Sequence, residues 1–196
     1  MQAHFLIITG MSGAGKTQVI RTLEDLNFFC IDNLPAALIP KFAELCRQTS
    51  EQNVALVVDI RGGRFFDKLL NVLNEMEAGG QKYELIFLDA SDSTLVRRYK
   101  ETRRRHPLGA GTELLKSISN ERELLKPLRE KATRLIDTTN LATSQLKNLI
   151  FDLFSESTEK ERMNIIVRSF GFKHGLPMDS DMVLDVRFLP NPFYDE

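Results

Sequence analysis

Gly10-Met11-Ser12-Gly13-Ala14-Gly15-Lys16-Thr17 is the stretch from which the rest of this chain is read. It is a complete G-x-x-x-x-G-K-[ST] phosphate-binding loop, and its flanks suit it. His4-Phe5-Leu6-Ile7-Ile8-Thr9 is a short apolar run of strand type. Gln18 to Leu26 continues with apolar residues at Val19, Ile20, Leu23 and Leu26, the spacing of one helix face. A strand, a glycine-rich loop and a helix in that order form the setting in which the motif has physical meaning. The glycines let backbone N–H groups close around a polyphosphate, and the helix N-terminus adds a favourable dipole. Lys16 is expected to reach the β/γ-phosphates of ATP or GTP, and the Thr17 hydroxyl to hold Mg²⁺.

Outward from the loop, apolar runs alternate with helical patterns. Phe28-Phe29-Cys30-Ile31 reads as a second strand, followed by a helix from Pro35 to about Arg47. Val54-Ala55-Leu56-Val57-Val58 reads as a third, with a helix from about Arg64 to Glu77. Tyr83 to Leu88 is a fourth, leading into a helix from Ser91 to about Arg104. Glu113 to Lys131 is largely helical, with an interruption before Pro127 left open. Thr133 to Ile136 is a fifth strand, and Ser144 to Phe154 the last helix. This alternation predicts a three-layer α/β domain around a mostly parallel five-stranded sheet. With the loop at its first turn, the expected architecture is the P-loop NTPase fold, adenylate-kinase-like, plus a short C-terminal extension. The expected boundaries are 1–154 for the nucleotide-binding domain, 155–163 for a charged linker, and 164–196 for the beginning of a second domain. Ile165-Ile166-Val167 is a strand-like run there, expected to join a sheet edge or to pair with another copy of the chain, so a homo-oligomer is possible.

Composition bounds the setting. The 196 residues, 42% hydrophobic and 27% charged, suit a globular protein with a substantial core. No apolar stretch approaches the ~20 residues that cross a membrane, and the N-terminus lacks a signal-peptide pattern. Cys30 and Cys46 have neither disulfide-framework nor zinc-site spacing, so a cytoplasmic location is expected. The net charge of −1 argues against indiscriminate nucleic-acid attraction by the whole chain.

Asp59 follows an apolar strand and is the preferred carboxylate for Mg²⁺ opposite Thr17. Asp89, after Leu85-Ile86-Phe87-Leu88, is its competitor; a helix N-cap at Asp89 or Asp92 is the plainer role for the loser. Arg97 to His106 carries six basic residues and one acidic. Its Arg97, Arg98, Arg103, Arg104 and Arg105 are a candidate phosphate lid, a solvated salt-bridged helix face being the alternative and RNA contact a weaker one. Asp32 stands where a small-metabolite kinase places a substrate carboxylate, although a turn explains it equally well.

These segments together resemble the RapZ/YvcJ family of bacterial P-loop nucleotide-binding proteins. The resemblance rests on Gly10–Thr17, on Leu23-Glu24-Asp25-Leu26 with Phe29 to Pro35, on Asp59-Ile60-Arg61, and on Phe87-Leu88-Asp89-Ala90. It continues through Leu95 to Tyr99, Thr102-Arg103-Arg104 with His106-Pro107-Leu108, Ser169 to Gly175, and Asp185 to Pro192. It implies ATP at Gly10–Thr17, with Lys16 and Asp59 in catalytic roles, and a GTP-associated segment at Asp59, Ile60, Arg61 and Gly62, the last replacing an Asn of some relatives. It further implies ATP and GTP hydrolysis, expected to be slow because the sequence shows no clear water-positioning base, and RNA and amino-sugar phosphate recognition through a C-terminal domain that continues well past Pro192. A small-metabolite kinase is the competing expectation.

Overall fold

A computed structural model of the chain describes residues 4–49, 53–58, 63–102, 113–155, 166–178, 180–185 and 187–189. Five strands, β1 (His4–Gly10), β2 (Phe29–Asp32), β3 (Asn53–Val57), β4 (Glu84–Asp89) and β5 (Arg134–Asp137), form one sheet in the order β2-β3-β1-β4-β5. Every ladder is parallel, with Ile7 opposite Leu56 on one side and Leu85 on the other. The helices are α1 (Lys16–Asp25), α2 (Ile39–Thr49), α3 (Gly63–Ala78), α4 (Asp92–Thr102), α5 (Leu114–Lys131) and α6 (Thr143–Phe154).

The strand order dictates which face each helix covers. A parallel crossover is right-handed, so the step from β1 to β2 places α1 on one face, and the opposite-going steps place α2 to α5 on the other. The packing agrees: α1 lies against α6, while α3 touches α2 and α5. With both faces covered, the central strands are apolar almost throughout, and Leu6, Ile7, Ile8, Ala55, Leu56, Leu85, Ile86 and Leu88 are fully buried. The mostly parallel five-stranded sheet expected from the sequence is therefore present. Both neighbours of β1 send their chains to the face opposite α1, and this divergence opens a crevice at the carboxyl end of β1.

One expectation is corrected, and one left open is decided. After Pro35 a 3-10 turn, Ala36–Leu38, precedes α2 instead of one continuous helix. And α5 runs unbroken through Pro127. The proline forfeits one backbone bond, but buried Ile118 before it and Leu128 after it keep both halves seated on the core.

The chain divides into two compact units, Met1–Thr158 and Glu159–Glu196. In the second, the described elements are slight: a 3-10 turn at Phe172–His174, Phe170 and Phe172 with ring centroids 5.1 Å apart, and the Arg187 guanidinium 4.3 Å from the Phe172 centroid. The expected strand at Ile165–Val167 is not seen. Ile165 lies outside the described residues, and Ile166 and Val167 belong to no strand and are exposed. An apolar run becomes a strand only when a partner backbone completes its ladder.

Candidate functional site

The phosphate loop is gripped almost residue by residue, by holds that come from several different elements. Gly10 closes β1 so tightly against β4 that a Cβ there would lie 2.1 Å from the Leu88 carbonyl oxygen. The Met11 N–H donates to that carbonyl at 2.9 Å. Ser12 is held by α5: its N–H donates to both carboxylate oxygens of Glu121 (3.1 and 3.2 Å), and its hydroxyl donates to Oε1 at 2.6 Å. The Gly13 carbonyl accepts from Arg98 Nη1 of α4 at 3.1 Å, and the Ala14 carbonyl lies 2.9 Å from Thr138 Oγ1, just beyond β5. Gly15 takes φ +106°, a left-handed conformation open to glycine, and from it the chain turns into α1.

Lys16 folds back over this frame. Its Nζ donates to the carbonyls of Gly10 (2.7 Å) and Met11 (3.2 Å). The ammonium therefore sits over the start of the loop, where an incoming phosphate can draw it away from neutral carbonyls. Around the loop lies an open crevice of about 1270 Å³, lined by Ser12 to Gln18, by Arg97, Arg98, Tyr99, Glu101 and Thr102, and by Leu141 to Thr143 with Leu146. Thr17 is exposed on its wall, one residue past Lys16.

The arginines of the candidate lid separate into different roles. Arg97 is exposed at the crevice, loosely paired with Glu101 at 3.9 Å. Arg98 is committed to structure: besides Gly13, it donates to Thr138 Oγ1 (3.0 Å) and to the Thr138 carbonyl (2.7 Å). Burial pulls its guanidinium below the ordinary arginine value, with Arg97 adding to that effect. Arg103, Arg104 and Arg105 lie outside the described residues, as do Asp59, Ile60, Arg61 and Gly62.

Asp89, the competitor of Asp59, is fully engaged. Arg122 Nη1 and the Ala90 N–H both donate to Oδ1, at 2.7 and 2.8 Å, and Arg129 Nε donates to Oδ2 at 3.1 Å. A carboxylate so neutralised is poorly placed to add a metal ion. Nor does it cap α4, because Ser91 Oγ accepts the Thr94 N–H at 3.3 Å. Asp32 ends β2, exposed, and is not among the residues lining the crevice.

Two residues that sequence reasoning passed over stand in the loop's contact shell. Glu121 is 4% exposed, and a signal for it existed. It occupies the buried stripe Ser117, Ile118, Leu125 and Leu128 of α5, and an acid on an apolar helix face must find a partner. Thr138 carried no such signal, since nothing distinguishes it from Thr139 in sequence.

Known proteins match both parts of the chain. A family model described as the RapZ-like N-terminal domain matches residues 3–158, and one described as the RapZ C-terminal domain matches residues 163–196. A nucleotide-binding protein of Desulforamulus reducens is 58% identical over 194 residues, which cover 97% of this chain and 65% of that protein. The chain thus spans slightly less than two thirds of that relative's length. Among solved structures, shikimate kinase from Acinetobacter baumannii, in complex with shikimate, aligns with a TM-score of 0.54 and 20% identity, covering 81% of this chain and 96% of the kinase. Shikimate kinase from Bacteroides thetaiotaomicron gives 0.53 and 22%, with 76% and 96% covered. At that identity the two kinases show the fold alone, whereas the family models reach from the phosphate loop to Glu196: the chain belongs to the RapZ-like family.

Proposed function

We propose that this chain binds ATP or GTP with Mg²⁺ and hydrolyses it slowly, as the nucleotide-binding part of a RapZ-like regulatory protein. The observation that carries the reading is the braced Gly10–Thr17 loop facing an open crevice, with Lys16 Nζ over its start. Loop amides, the α1 N-terminus and Lys16 would hold the phosphates, and Arg97 stands where it can approach them. An Mg²⁺ ion suits the donor chemistry: the Thr17 hydroxyl at the crevice, the phosphate oxygens a nucleotide would bring, and Asp59, outside the described residues, as the expected carboxylate make the oxygen-rich and water-retaining set this ion takes. Bound there, it would neutralise charge on the β/γ-phosphates. The whole protein's roles, RNA delivery to a ribonuclease and amino-sugar phosphate sensing in the cytoplasm, fall in this reading to the C-terminal domain.

Lys16→Ala is expected to weaken ATP binding at least a hundredfold in calorimetry. Unchanged affinity would remove the loop from the reading. The alternative, a small-metabolite kinase, has the shared scaffold in its favour. It requires a phosphorylated product made in step with ATP consumed, so release of free phosphate alone across a metabolite screen counts against it.

A further inference from the structure

We propose that Ser12 and Glu121 form a proton-accepting pair for nucleotide hydrolysis, an inference that rests on the nucleotide-binding reading above. Ser12 is placed by its neighbours. Lysine at this motif position serves the β/γ-phosphates, and Lys16 Nζ lies 3.2 Å from the carbonyl of Met11, the residue before Ser12. Ser12 itself lines the crevice. Ser12 and the Lys16 ammonium thus share one end of the loop, and the γ-phosphate is assigned to that end. The Ser12 hydroxyl donates at 2.6 Å to Oε1 of a carboxylate buried to 4% exposure, a short charge-assisted bond.

The bond sets the direction of the hydroxyl. With its proton turned toward Glu121, Ser12 Oγ can accept a hydrogen bond from a water in the crevice that Ser12 lines. As the water oxygen bonds to the γ-phosphorus, the bond from that phosphorus to the β–γ bridging oxygen breaks, and the bridging oxygen leaves on the nucleoside diphosphate. The water's proton passes to Ser12 Oγ while the Ser12 proton passes to Glu121 Oε1. Glu121 then returns its proton through Ser12 to the departing phosphate. Ser12 touches the reacting water, and Glu121 is a positioning and proton-holding residue acting through it.

The test separates turnover from binding in the full chain. Affinity is read with the β,γ-imido analogue of ATP, and turnover as phosphate released from ATP. Glu121→Gln keeps one acceptor oxygen for the Ser12 N–H but removes the base. Ser12→Ala removes the hydroxyl and leaves the carboxylate buried, and Ser12→Thr restores a hydroxyl. The expected result is a fall in kcat of roughly a hundredfold or more for Glu121→Gln and for Ser12→Ala. Analogue affinity should fall far less than kcat, and Ser12→Thr should recover most of the rate. A fall of less than tenfold in either variant overturns the proposal. So does a loss of kcat matched by an equal loss of affinity, which would mark Glu121 as a brace only. Should Glu121→Gln fail to fold, the Ser12→Ala and Ser12→Thr pair decides alone. A wild-type chain that binds the analogue but releases no phosphate overturns the pair and leaves nucleotide binding standing. One that does not bind the analogue overturns the nucleotide-binding reading itself.

Discussion

The unit Met1–Thr158 and the unit Glu159–Glu196 come from one continuous chain of similar apolar content, yet they use their apolar residues in opposite ways. In the first, Leu6, Leu23, Leu56 and Leu73 are withdrawn completely from water. In the second, Val167, Met178, Leu184 and Phe188 are mostly exposed, and the described polar bonds span only a few residues, as between Arg187 and Asp185. Hydrophobicity in a sequence is a request for a partner surface. The sheet of the first unit answers it on both faces, whereas the described elements of the second supply no such sheet.

The contrast can be broken most directly by removing matched side chains. Leu23→Ala, at a fully buried site, is expected to cost about 2–5 kcal/mol. Leu184→Ala, at a site 72% exposed, is expected to change stability by less than about 0.5 kcal/mol. Urea titration of both variants checks this, and equal costs would erase the distinction. A polar pair sharpens it next. Thr138→Val leaves the buried Ala14 carbonyl and the Arg98 guanidinium short of a partner, and should cost about 1–3 kcal/mol. Asp185→Ala breaks only an exposed pair, and the unfolding midpoint should not move measurably. The smallest effect is chemical. Dilute peroxide should convert Met178 and Met182 to sulfoxides well before the buried Met11 and Met76, as peptide mass spectrometry would resolve.

What the sequence disclosed divides along the same line. The parallel sheet was legible because continuous apolar runs between helical patterns have few other uses, and the phosphate loop because its glycines and Lys16 are fixed by chemistry. Strand ends moved by a residue, since ladders and not hydropathy set them: Cys30 to Asp32 pair with Ala55 to Val57, leaving Phe28 outside. Pro127 left the helix open to interruption, and it runs on because the loss of one hydrogen bond is small beside the burial of the helix around it. The partners of the loop were hidden for a deeper reason. Glu121 stands 109 residues from Ser12 and Thr138 stands 124 from Ala14, and no local pattern records such pairings. Ile166-Val167 reads as a strand by composition alone, and composition does not supply the second backbone.

Those long separations also bear on how the protein is made. Met11 needs Leu88, Ser12 needs Glu121, and Ala14 needs Thr138, so the motif that leaves the ribosome first is finished last. At ordinary translation speeds, on the order of ten seconds pass between the emergence of the loop and that of its final brace. Until then β1 has no β4 beside it, and Gly10 through Thr17 form an unsupported glycine-rich segment. The nascent chain therefore gains its full phosphate cradle only once the first unit is nearly complete, which ties nucleotide capture to the end of domain synthesis.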